Sequence, residues 1–166
     1  MNTASGEQVL ARFSLPSEPG NEKLALARVA DAVAAKGLTA DQLDRLKTAV
    51  AETTMNAIEH GNHNRADLDV DVTVVENADG IAVSIVDRGG AHAPENDGHV
   101  ELPDLEMKLA GLQSPRGWGL FLIRNMVDAL DVSTDGDKHI VRLLIRADSS
   151  INEAHDHQGG PRAEQV

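Results

Sequence analysis

Between residues 68 and 86 the chain alternates. Leu68, Val70, Val72 and Val74 stand against Asp69, Asp71 and Thr73, and Ile81, Val83 and Ile85 follow beyond Asn77, Ala78, Asp79 and Gly80. A period of two puts the apolar side chains on one face of a strand and leaves the other face wet. The turn residues in the middle fold the run into a β-hairpin. A second hairpin is predicted over 130–146, with Asp135, Gly136 and Asp137 at its turn. Looser alternation over 9–15 predicts a first strand, and 16–20 a turn. Elsewhere the period is helical. Leu24, Ala27, Val33 and Ala34 stand among helix formers over 22–36, and Gly37 closes that helix. Leu43, Leu46, Val50 and Ala57 recur at helical spacing behind Thr39 and Gln42, a capping box, and this helix is expected to end near Gly61. A third helix is expected from Gly119 to Ala129.

The resulting order, β-α-α-β-β-α-β-β, keeps strands in hairpins and helices between them. It predicts the α+β class: a two-layer sandwich in which a mixed, mostly antiparallel sheet carries helices on one face. The strict strand–helix alternation of a Rossmann sheet is absent. A length of 166 residues suits one domain, expected over 9–148. Residues 1–8 are small and polar and are expected to be flexible. Residues 149–166 lack apolar periodicity, contain Gly159, Gly160 and Pro161, and are expected to be a disordered tail. His155 and His157 are then solvated side chains of that tail rather than metal ligands.

Composition narrows the function. Hydrophobic residues at 41% are enough for a core, but the aromatics are only Phe13, Trp118 and Phe121. The core is therefore aliphatic, and the stacking platforms of a single-strand binder are missing. A net charge of −12 repels a phosphate backbone and an anionic membrane alike, so neither nucleic acid nor membrane is an expected direct partner. The absence of cysteine excludes disulfides, thiolate-held zinc and thiol catalysis. With no long apolar run and no signal-peptide pattern at the N-terminus, the expected location is the cytoplasm.

Three segments carry candidate chemistry. On the second helix, Glu52, Asn56, Glu59 and His60 share one face, opposite Leu43, Leu46, Val50 and Ala57. A carboxylate and an amide carbonyl are hard oxygen donors of the kind Mg²⁺ and its waters prefer, although any solvent-facing helix carries polar stripes. Next, Asp87 ends the first hairpin and runs into Arg88, Gly89 and Gly90. An acid there can accept from a ligand amine, and glycine permits close approach; the same residues also make ordinary turns. Finally, Pro115, Arg116, Gly117, Trp118, Gly119, Leu120 and Phe121 lead into the third helix, where free amides and the helix dipole suit an anion. No Gly-Lys-Ser/Thr follows, so this is not a Walker A loop.

Each segment alone is weak evidence. In this order and on these elements, they resemble the GHKL superfamily of ATP-binding domains, the Bergerat fold shared with histidine-kinase catalytic domains. Glu52, Asn56, Ala57, Ile58, Glu59, His60, Gly61 and Asn62 look like its N-box, Asp87 and Gly89 its first glycine box, and Gly117 and Gly119 its second. The N-box, the compact length and Asp128 are most similar to the anti-sigma-factor serine/threonine kinase branch. The resemblance spans residues 9–146.

That resemblance implies roles. Glu52 would be the general base and Asn56 would hold the Mg²⁺ that bridges the phosphates of ATP. Asp87 would accept from the adenine amino group, with Gly89 giving room for the base. The amides around Gly117, Gly119 and Leu120 would cradle the phosphates beneath a lid formed by 91–116. Arg116, by position alone, is the candidate for the terminal phosphate. The implied partners are a small anti-anti-sigma protein of the STAS type, phosphorylated on Ser or Thr, a sigma factor, and a second copy of the chain. The alternative is a nucleotide-binding module that sequesters a partner without turnover. Trp118 departs from the aliphatic residue common at its position. The net acidity is compatible with a triphosphate if Mg²⁺ and backbone amides meet it locally, and it complements the basic surface of a sigma factor.

Overall fold

The computed structural model describes residues 6–89 and 115–147, and the alternating runs there are strands. β1 (Gln8–Pro16), β2 (Asp69–Asn77), β3 (Gly80–Asp87), β4 (Ala129–Asp135) and β5 (Lys138–Arg146) form one sheet in the order β1-β2-β3-β5-β4. The sequence predicts a mixed, mostly antiparallel sheet. Among the described strands every pairing is antiparallel: hairpins join β2 to β3 and β4 to β5, β2 returns beside β1 after two helices, and β5 lies beside β3 after α3 and β4. The inward rows are Val70, Val72 and Val74, then Ile81, Val83 and Ile85, then Val141, Leu143 and Ile145, all buried.

The helices α1 (Asn21–Val33), α2 (Ala40–Asn56) and α3 (Pro115–Met126) form the second layer, with α2 packed against both others. α1 supplies Ala25, Val29 and Val33 to the core, α2 supplies Leu46, Ala49 and Val50, and α3 supplies Ile123. Phe13 is half-buried, and the Arg28 guanidinium lies 5.2 Å from its ring centre, a cation–π distance. The core is aliphatic, as the composition requires.

The N-terminus of α2 is built as the sequence predicts. Gln42 N donates to Thr39 Oγ1 at 3.1 Å and Thr39 N donates to Gln42 Oε1 at 3.0 Å, so each satisfies an orphan amide of the other. Gln42 also donates from Nε2 to the Arg146 carbonyl at 3.3 Å. Arg45 donates to the Met126 carbonyl at 3.2 Å, a cation at the C-terminal end of α3. Asp128 accepts from Arg146 N at 2.7 Å. These bonds tie the start of α2 to the ends of α3 and β5, and the opposite end of the layer is left for a site.

Four helix boundaries differ from expectation. α1 stops at Val33 rather than Lys36. The second helix is α only to Asn56, and Ala57–Gly61 is a π-helical turn. α3 begins at Pro115 rather than Gly119, since a proline suits the first helical position, where no intrahelical N–H bond is needed. It stops at Met126 because Ala129 is already paired with Leu144 in the sheet. Most of the lid, the tail and residues 1–5 lie outside the described residues. Among the described residues no helix is long and apolar enough to cross a membrane.

Candidate functional site

The site lies where the inward rows of the sheet stop being apolar. Asp87 follows Ile81, Val83 and Ile85 on the inner face of β3, and His139 precedes Val141, Leu143 and Ile145 on that of β5. The two are direct cross-strand partners. Asp87 is 5% exposed, with Oδ2 3.1 Å from His139 Nδ1, and Oδ1 accepts from Gly89 N at 3.2 Å. A cleft opens above this pair. Thr53, Asn56 and Ala57 line it from α2 and the π turn, Leu120 and Ile123 from α3, and Ile85, Val132 and Val141 from the sheet. It contains about 470 Å³ of empty space, its open mouth included.

The π turn sets the back of the site. A Cβ on Gly61 would fall on the Asp87 carboxyl group, and one on Gly89 would fall on the Gly61 carbonyl. The turn and the exit of β3 therefore meet backbone to backbone, which only glycine at both positions allows. On the side where a Cβ would stand, Gly89 meets Gly61, and its N–H donates to Asp87. Just beyond, Asn62 is 0% exposed. It donates from Nδ2 to Ser17 Oγ at 2.8 Å and to the Asp69 carbonyl at 3.2 Å, and its Oδ1 accepts from Arg88 N at 2.8 Å. One amide thus joins the end of β1, the start of β2 and the exit of β3.

Of the residues singled out from the sequence, Asn56, Asp87 and Leu120 are brought together in the cleft. Glu52 is half-buried one turn before Asn56 on α2 and is not among the cleft-lining residues. Glu59 and His60, in the π turn, are exposed and do not line the cleft. Gly117 and Gly119 both lie inside α3. With Pro115 first in that helix, the amides lacking an intrahelical partner include those of Arg116 and Gly117, while Gly119 sits deeper. The expectation for the Arg116 side chain lies outside the described residues.

Two polar cleft residues were missed from the sequence, His139 and Thr53. His139 carries no local motif, and only the register of β3 against β5 could have found it. Thr53 is 3% exposed, and its hydroxyl has no hydrogen-bond partner among the described residues.

A buried hydroxyl left unpaired is costly unless something else completes it. Thr53 Oγ1 therefore fits a polar ligand in the cleft, and the aliphatic lining fits a flat base. Among the described residues no group of three His, Asp or Glu side chains could hold a metal. Asn56 lines the cleft and has no side-chain partner among the described residues, and its amide oxygen is a hard donor of the kind that suits Mg²⁺ when phosphate oxygens supply the other ligands.

Fold and cleft together define a small α+β domain with a ligand site between its helical layer and the end of its sheet. The chain belongs to the histidine kinase-like ATPase domain family, whose model matches residues 15–145. It is similar to an anti-sigma F factor of Geobacillus stearothermophilus, 31% identical over 142 residues, with 82% of this chain and 89% of that one covered. It is also similar to an anti-sigma F factor of Clostridium beijerinckii, 29% identical over 135 residues, covering 76% and 87%. Among solved structures, that of the SiaB-SiaC complex from Pseudomonas aeruginosa matches with a TM-score of 0.58 at 18% identity, over 82% of this chain and 89% of that one. That of the RsbU and RsbW domains of Rv1364c from Mycobacterium tuberculosis matches at 0.56 and 17%, over 82% of this chain and 32% of that one. Likeness at that identity bears on the fold.

Proposed function

We propose that the chain is an ATP- and Mg²⁺-dependent serine/threonine protein kinase that is also the anti-sigma factor of a partner-switching system, phosphorylating a STAS-type anti-anti-sigma protein. The observation that carries the reading is the cleft joining Asn56, Asp87 and an orphan Thr53 hydroxyl, in a chain of the ATPase family similar to anti-sigma F factors. ATP would supply the phosphoryl group that is transferred. Phosphoryl transfer demands positioning and charge neutralisation more than covalent help. Asp87, held by Gly89 N–H and His139, would accept from the base amine. Asn56 would hold Mg²⁺. The amides at the start of α3, from Arg116 and Gly117 towards Leu120, would face the phosphates, with the Arg116 side chain reaching the terminal one. Glu52 would take the proton of the incoming hydroxyl.

Glu52 stands outside the cleft lining, and that observation favours a second reading, a module that binds nucleotide and sequesters its partner without turnover. One experiment separates the two. The protein is incubated with γ-labelled ATP and candidate anti-anti-sigma proteins, and ATP affinity is measured in parallel. Label transfer that Glu52→Ala lowers by at least about a hundredfold, with ATP affinity within about twofold of wild type, is the expected kinase result. Tight binding without any transfer by the wild type establishes the sequestering module.

A further inference from the structure

The outer face of the sheet, turned away from the helices, is not wet throughout. Val75 and Ala82, direct partners on β2 and β3, are 5% and 0% exposed, yet neither belongs to the core between sheet and helices. The register continues them into an apolar row over all five strands: Val9, Val75, Ala82, Leu144 and Ala129. Val9, at its end, is 51% exposed. By the two-residue period, Arg146 flanks this row on one side and Arg12 and Arg142 on the other, with Asp131 opposite Arg142. The side chains of Arg12 and Arg146 have no partner among the described residues. Arg142 pairs with Glu7 at 3.5 Å. Glu7 precedes β1, and Arg142 lies three strands away, so this contact runs over β2 and β3.

We infer that residues 148–166, outside the described residues, fold back over this end of the outer face and cover the apolar row. They begin beside it. Ala147 N donates to the Asp79 carbonyl at 3.0 Å, which puts the exit from β5 at the β2–β3 turn, next to Leu144 and Ala82. They carry Asp148, Glu153, Asp156 and Glu164 against Arg162, an acidic segment beside a face edged with arginines. Glu7 shows that the face accepts an acidic side chain from its own chain. The reach is sufficient. At about 3.3 Å per residue Ile151 extends about 13 Å beyond Ala147, and strands about 4.8 Å apart place Val75 about 10 Å from β5. Exposed charge pairs and a few apolar contacts hold such a segment loosely, so salt releases it.

The chain has no cysteine, so single thiols can be placed in the full chain. Ser84, half-buried between Thr73 and Arg142 on the outer face, becomes a reporter as Ser84→Cys. Ala27→Cys, exposed on α1, is the control. Each is reacted with uncharged N-ethylmaleimide, with the tail unchanged and with Asp148→Asn, Glu153→Gln, Asp156→Asn and Glu164→Gln together. The neutral tail should speed the reaction of Ser84→Cys by at least about threefold, because a covered thiol reacts only while its cover is lifted. Salt at about 0.5 M should do the same to the unchanged tail. Ala27→Cys should not respond to either, and melting curves check that every variant is folded. Equal Ser84→Cys rates with the two tails overturn the inference. If both tails protect equally and protection grows with protein concentration, a second copy covers the face and the inference is equally lost.

Discussion

Asn62 and Asn56 stand close together at the end of the same helical run and have opposite environments. Asn62 is fully buried, and both its donors and its acceptor are engaged across three separate segments. Asn56 is half-buried, lines the cleft, and has no side-chain partner among the described residues. The contrast extends to their neighbours. Ser17, beside Asn62, donates to the Leu68 carbonyl at 2.6 Å, whereas Thr53, beside Asn56, donates to nothing described. A polar group whose partners are all within the protein stabilises the fold, and one left incomplete in a concave site is ready for something from outside. The π turn between the two makes the division possible. It takes the chain from the cleft wall to the buried junction in a single turn.

The largest expected effect tests that division directly. Asn62→Ala strands the Arg88 amide and the Asp69 carbonyl in a buried place and should cost about 3 kcal/mol of stability in urea denaturation. Asn56→Ala should stay within about 0.5 kcal/mol of wild type, as substitutions away from the core usually do, yet weaken Mg²⁺-ATP binding by at least about tenfold through its lost ligand. If Asn62→Ala lost nucleotide binding at unchanged stability, or Asn56→Ala unfolded the protein, the two residues would have been assigned the wrong way round.

A somewhat smaller effect is expected at the glycine contact between the two regions. Gly89→Ala must push the Gly61 carbonyl, which is backbone and cannot yield without moving the π turn. It should cost about 2–3 kcal/mol, in the range of overpacked core substitutions. Gly61→Ala meets the Asp87 side chain instead. Its cost should be nearer 1–2 kcal/mol, roughly the price of an off-rotamer carboxyl with its bonds disturbed, and ATP affinity should fall with it because Asp87 is re-aimed. Melting curves with and without ATP distinguish the two, since ligand stabilisation should survive in Gly89→Ala to the extent that Asp87 keeps its place and should vanish in Gly61→Ala.

Much of this arrangement was readable along the chain, and the missing parts share a cause. The β2–β3 hairpin followed from the alternation of Val70, Val72 and Val74 with Asp69, Asp71 and Thr73, because a period of two has one meaning in a sheet with one wet face. The capping box at Thr39 and Gln42 was readable because its partners are three residues apart. The π turn was not, since one wide turn adds a residue without changing residue type. The start of α3 was misplaced because glycine inside a first helical turn resembles a loop, while Pro115 was the better signal. His139 was invisible for a different reason. Its meaning depends on β5 lying beside β3 with Asp87 opposite, and that register is a fact of topology rather than of local pattern.

The smallest effect separates two neighbours with the same defect. Thr53 and Thr54 both bury a hydroxyl with no partner among the described residues, but only Thr53 lines the cleft. Replacing either by valine exchanges an unsatisfied hydroxyl for a methyl group of nearly equal volume, so both variants should be more stable than wild type by about 1 kcal/mol without ligand. With ATP the two should diverge. Thr54→Val should keep wild-type affinity and add its gain to that of the bound state. Thr53→Val should lose about three- to tenfold in affinity, the worth of one hydrogen bond to the ligand, so that its advantage shrinks or reverses as ATP is raised. Identical affinities in the two variants would mean that the Thr53 hydroxyl is a defect of packing like that of Thr54. The cleft would then rest on Asn56 and Asp87 alone.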